Sequence, residues 1–133
     1  MRLNKQLHLL FLLAYSISIQ AGDVDIQMVA LYHQSQNEYA MTVQLQHDDT
    51  GWEHYADAWR VVDDAGNILG TRTLLHPHVD EQPFARGLNN IKIKDELETL
   101  YIEAHDKVHG WTEKRLMIDL TKMQNGRLIV RAE

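Results

Sequence analysis

The sequence predicts an all-β domain, a two-layer antiparallel sandwich of about seven strands. Three observations predict it. Beyond residue 22, apolar and polar residues alternate in short runs along most of the chain, the pattern of strands buried on one face. Clusters of Asn, Asp and Gly separate these runs, as turns require. Finally, no stretch carries the apolar repeat of a long amphipathic helix, and only Lys94–Glu98 has room for a single helical turn.

Taken in order, Val24, Ile26, Met28 and Ala30 alternate with Asp25 and Gln27 to give the first strand. Ser35-Gln36-Asn37-Glu38 turns the chain into a second strand, with Met41, Val43 and Leu45 inward. Trp59 and Val61 flank Arg60 in the third, which places a Trp in the core. Asp63-Asp64-Ala65-Gly66-Asn67 is a hairpin turn. The stretch from Ile68-Leu69 to Leu74-Leu75 is a Thr-rich extended fourth strand, and Pro83-Phe84 is expected to plug one end of the sandwich. Asn89-Asn90 and Asp95-Glu96 bracket a short fifth strand carrying Ile91 and Ile93. Leu100, Ile102 and Ala104 define the sixth strand, and Leu116, Ile118 and Leu120 the seventh. Asn125-Gly126 is a strong hairpin dipeptide, expected to attach an extra strand, Leu128–Arg131, to a sheet edge.

The stretch LYIEAHDKVHGWTEKRLMIDL, Leu100 to Leu120, resembles the last hairpin of a fibronectin type III domain. It has a Tyr early in one strand, a small residue at Ala104, a Gly-containing loop and a final strand. That resemblance implies an immunoglobulin-like or fibronectin type III-like sandwich and says nothing of function. GWEHYADAWRVV (Gly51–Val62), HPHVDEQPF (His76–Phe84) and HDKVHGW (His105–Trp111) together resemble a group of small exported bacterial proteins of unknown function. This likeness implies export and supplies no activity.

Residues 1–21 read as a signal peptide: Arg2 and Lys5, an apolar run from His8 to Ile19, then a small residue at Ala21. The run is shorter than the about 20 residues a membrane span needs, although an uncleaved anchor is the alternative. Residues 22–133 then form one domain, periplasmic or secreted. The chain has no Cys, so neither a disulfide nor a Cys-linked lipid is expected, and a metal would have only N and O ligands. A net charge of −6 argues against nucleic acid as a partner.

All the histidines except His8 and His33 fall in three segments: His47–His54, His76-Pro77-His78 and His105–His109. In an up-and-down sandwich these segments join strands two to three, four to five and six to seven. Chain reversal therefore carries all three to one pole. Neutral imidazole is a common metal ligand, and several imidazoles with a carboxylate suit Zn²⁺ or Cu²⁺. The candidate ligands are His54, His76, His78 and His109, with Asp80 or Glu81 as oxygen donor. Asp48, Asp49, Asp80 and Glu81 keep Ca²⁺ open. Pro77 stiffens its corner and holds His76 extended. His47 and His105 complete the candidate set. His47 keeps the inward phase of Met41, Val43 and Leu45 and reads equally as a buried strand-end residue; His105 keeps an outward phase.

The plain alternative is a set of polar loops with surface histidines, in which Trp52 and Trp111 pack rather than wall a site. A protein–protein module using Trp52, Tyr55, Trp111 and the same loops is the rival function. The sequence lacks a nucleophile elbow, a Cys nucleophile and a phosphate loop, so no enzyme is expected. A hydrolytic zinc site is the third reading. A histidine brace is not expected, since cleavage after Ala21 exposes Gly22.

Overall fold

A computed structural model describes residues 23–133; the expected signal segment, residues 1–21, lies outside the described residues. The fold is all-β, with two antiparallel sheets. The first sheet has the order β5-β2-β1-β9, from Phe84–Lys92, Glu38–Gln46, Asp25–Ser35 and Arg127–Arg131. In the second, β4 (Ile68–Thr73), β3 (Ala56–Asp63), β6 (Thr99–Asp106) and β7 (Gly110–Trp111) follow one another, and β8 (Leu116–Asp119) also pairs with β6. Among the described residues no helix is long and apolar enough to cross a membrane.

The alternation reads out as expected except in β1, where a register shift between Ile26 and Met28 flips the phase, so that Val29 and Leu31 join the core in place of Met28 and Ala30. Trp59, Val61, Leu31, Val43, Leu45, Ile91, Leu100, Ile102 and Ile118 are all essentially inaccessible and fill the space between the sheets. Phe84 is buried at one end. In the Asp63 turn, the carboxylate accepts from the backbone N–H groups of Ala65 and Asn67 and from the Asn67 side chain. These bonds, those of Asn67 foremost, hold its carboxyl below the ordinary value. Asn125 and Gly126 both have positive φ, 52° and 69°, and turn the chain into β9 against β1.

Two further elements differ from the expectation. The fifth strand is much longer than Ile91–Lys94, running Phe84–Lys92 along β2. Asn90, with φ 57°, does not end it; a register shift opposite Tyr39 and Met41 absorbs the irregularity. The seventh strand is observed as β8, which ends at Asp119 because Leu120 enters a 3₁₀ turn, and the short β7 precedes it where a loop was expected. Thr112 bridges the gap: its N–H donates to Ala104 O, and its hydroxyl accepts from Ala104 N. Lys94–Glu98 makes a turn and no helix.

The three histidine-bearing connections meet at one pole and are stitched together there. Leu74 N–H donates to Asp57 O, Lys107 N–H to Tyr55 O, and His78 N–H to the Asp49 carboxylate. The start of β1 lies at the same pole, since Asp25 pairs with Gln46.

Candidate metal centre

Asp106 is the last residue of β6, and the inward phase of Leu100, Ile102 and Ala104 places it inside, with no solvent exposure. Burial by itself pushes the Asp106 carboxyl up, but the backbone N–H groups of His109 and Val108, at 2.7 and 2.8 Å, and the His109 side chain outweigh it. The net result is a carboxyl below its ordinary value, and so an anion at neutral pH. Gly110, with φ 80°, lets the chain fold back at once into β7, which brings the His109 ring onto the carboxylate, Nδ1 at 2.9 Å from Oδ2.

Two further imidazoles converge on Asp106 from the β2–β3 connection. His47 Nε2 is 3.7 Å from Oδ2, and His54 Nε2 is 3.4 Å from Oδ1. Neither nitrogen has a hydrogen-bond partner, and both are sealed from solvent. The His47 tautomer follows from its other side. Nδ1 lies 2.6 Å from Asp49 Oδ1, and a carboxylate that accepts from the backbone N–H groups of Ala56 and His78 as well is the acceptor there too. The His47 Nδ1 proton is therefore held by Asp49, and Nε2 is the nitrogen turned toward Asp106. His54 is held by a tight turn in which its carbonyl accepts from Thr50 N–H and its N–H donates to Gly51 O.

Donor atoms of His47, His54 and Asp106 all lie within 4.8 Å of one another. Two donors about 2.1 Å from a common tetrahedral ion stand about 3.4 Å apart, close to the observed separations. A carboxylate–imidazole pair such as Asp49–His47 is the usual outer support of a metal-binding imidazole. Asp23, Asp106 and His109 form a second such group on the outer side.

The other candidates are placed differently. His78 is buried, but Arg86 Nη2 donates to its Nε2 at 2.9 Å and its ring stacks on Phe84. Burial first, then Arg86 and His76, hold His78 below the ordinary imidazole value. His76 is exposed, its Nδ1 bonding to Pro77 O, and its ring lies beside that of His78, 4.4 Å between centroids. Asp80 and Glu81 are exposed on the same loop. His105 points to the outer face of the second sheet, where it pairs with Asp57 and packs edge-on against Trp111. Trp111 in turn carries the Arg60 guanidinium 3.8 Å above its ring. Trp52 is 66% exposed, so it walls nothing. The structure thus brings His47, His54 and His109 together and leaves His76, His78, His105, Asp80 and Glu81 outside that group.

Asp106 and Asp49 complete the cluster; Asp106 was not among the expected ligands, and Asp49 was expected only as a Ca²⁺ donor. Extending the alternation of β6 by one step marks Asp106 as inward; Asp49 lies in a connection where no periodicity operates.

A protein of Halomicrobium mukohataei named "Putative lipoprotein" is 37% identical over 78 residues, which are 59% of this chain and 38% of that protein. The chain therefore spans little more than a third of that relative's length. No family model matches the chain, and no solved structure matches it significantly.

Proposed function

We propose that this is an exported, non-enzymatic binding protein that takes up a divalent transition ion, Zn²⁺ or Cu²⁺, through His47 Nε2, His54 Nε2 and Asp106. One observation carries the reading: two buried imidazole nitrogens without hydrogen-bond partners face the same buried carboxylate. Unpaired buried polar atoms cost free energy, and a cation among them supplies the missing partner. Two buried carboxylates, Asp49 and Asp106, also balance the charge of one divalent ion. The donor set of two imidazoles and one carboxylate suits these ions. Export is supported by the leader-like start of the chain and by the lipoprotein name of its relative. The strand order of the two sheets supports a fibronectin type III-like sandwich.

Calorimetric titration of metal-stripped protein with Zn²⁺ and Cu²⁺ at neutral pH tests the reading. Binding in the wild type, abolished in His47→Ala/His54→Ala and kept in His76→Ala, is expected. Negligible heat and no retained metal in the wild type would falsify it. In that outcome the contact-module reading stands, and it rests on its own observation: Trp52, Leu75, Val79 and Val108 are exposed on the three loops of this pole.

A further inference from the structure

We infer that the pole holds a second cation subsite, formed by Asp23, His109 and Asp106, with Asp106 bridging two ions. The inference rests on the metal reading of the inner group. Asp106 belongs to both donor sets, His47/His54/Asp106 and Asp23/Asp106/His109, each with its ligand atoms within 4.8 Å of one another. The two sets share no other residue. A carboxylate has two oxygens and about four lone-pair positions. Here Oδ1 lies 3.4 Å from His54 Nε2 and 3.1 Å from His109 Nδ1, and Oδ2 lies 3.7 Å from His47 Nε2 and 2.9 Å from His109 Nδ1, so both oxygens face both donor sets. Shared carboxylates commonly hold ion pairs about 3.5–4 Å apart.

The two subsites differ in kind. The inner one is nitrogen-rich and sealed, with His47 almost wholly buried. The outer one has two carboxylates and one imidazole, and Asp23 and His109 are exposed. It leaves positions for water and suits an oxygen-accepting divalent ion such as Mn²⁺, or Zn²⁺ in excess. Solvent screening of its charges makes it the weaker of the two. Asp23 stands immediately before β1, so an ion here ties the point where the chain enters the sandwich to the β6–β7 connection.

The test is a stoichiometric one. Metal-stripped protein is dialysed against graded Zn²⁺ and the bound metal counted by elemental analysis. Wild type is expected to take a tight first ion and a weaker second. Asp23→Asn, a change at an exposed position outside any strand, is expected to keep the first within about threefold and weaken the second by at least tenfold, the lower end for loss of a metal-supporting group. Cu²⁺ loading read by electron paramagnetic resonance gives a second readout: a spin-coupled pair in wild type and an isolated ion in Asp23→Asn. One ion per chain in both proteins, with an uncoupled copper signal, overturns the second subsite and leaves the inner site standing. No bound metal in either overturns both.

Discussion

The pole contains two histidine clusters built from the same residue types, and they differ in what occupies the Nε2 atoms of their buried rings. At the His76-Pro77-His78 corner Arg86 donates to His78 Nε2 and the Pro77 carbonyl bonds His76 Nδ1, while the buried His78 Nδ1, 3.9 Å from Asp49 Oδ2, has no hydrogen-bond partner. Around Asp106, His47 Nε2 and His54 Nε2 have none. The corner is thus a joint of the fold, and the Asp106 cluster is where the proposed cation would sit. What separates them is the neighbour at Nε2: a guanidinium occupies that nitrogen of His78, and no hydrogen-bond donor reaches that of His47 or His54.

The largest effect that sharpens this contrast is expected at Asp106. Asp106→Asn keeps an oxygen to accept from Val108 and His109 N–H but removes the anion. Zn²⁺ affinity should then fall by more than the about 10–100-fold that an outer hydrogen-bond partner is worth, as read by calorimetry. Asp49→Asn is expected next, with a loss of about 10–100-fold because the His47 tautomer is no longer held; an unchanged affinity would break the outer-support assignment.

The third effect concerns acid stability of the metal-free protein. The folded value of His78 lies below the ordinary 6.5, so the unfolded chain binds more protons between the two values. Stability is therefore full above about pH 6.5 and declines as pH falls from there through the folded value. Asp106, also held below its ordinary 3.8, adds a second decline as pH drops below about 3.8. In His78→Gln the upper decline should shrink while the lower one stays, which denaturant unfolding across pH measures. A profile identical to wild type would remove His78 from the account. The smallest effect belongs to His76→Ala, whose exposed ring touches only its own loop: metal affinity is expected to change by less than about twofold, since an exposed side chain away from the ligands alters little.

How far the sequence went differs between the two clusters. Alternation correctly assigned Trp59, Leu100, Ile102 and Ala104 to the core, because a period of two follows from strand geometry alone. It also marked His47 as inward. The same count, carried one residue past Ala104, reaches Asp106, but a residue at a strand end looks like the start of a loop until the hairpin is seen to close at Asp106 and Gly110. Asn89-Asn90 has the composition of a turn, yet it lies within β5, because pairing with β2 tolerates one left-handed residue. Both His54 and His78 lie in connections beside other histidines, and it is the approach of Arg86, from β5, that commits His78 to structure.

The amino-acid order by itself determined an all-β sandwich, its buried rows and the gathering of three imidazole-bearing connections at one end, because side-chain alternation and chain reversal are local consequences of extended backbone. Tertiary structure alone decided which ring nitrogens were left open. That outcome depends on whether Asp49, Asp106, Arg86 or a carbonyl comes within bonding distance, and those distances are set by how the two sheets stack and how the loops between them close.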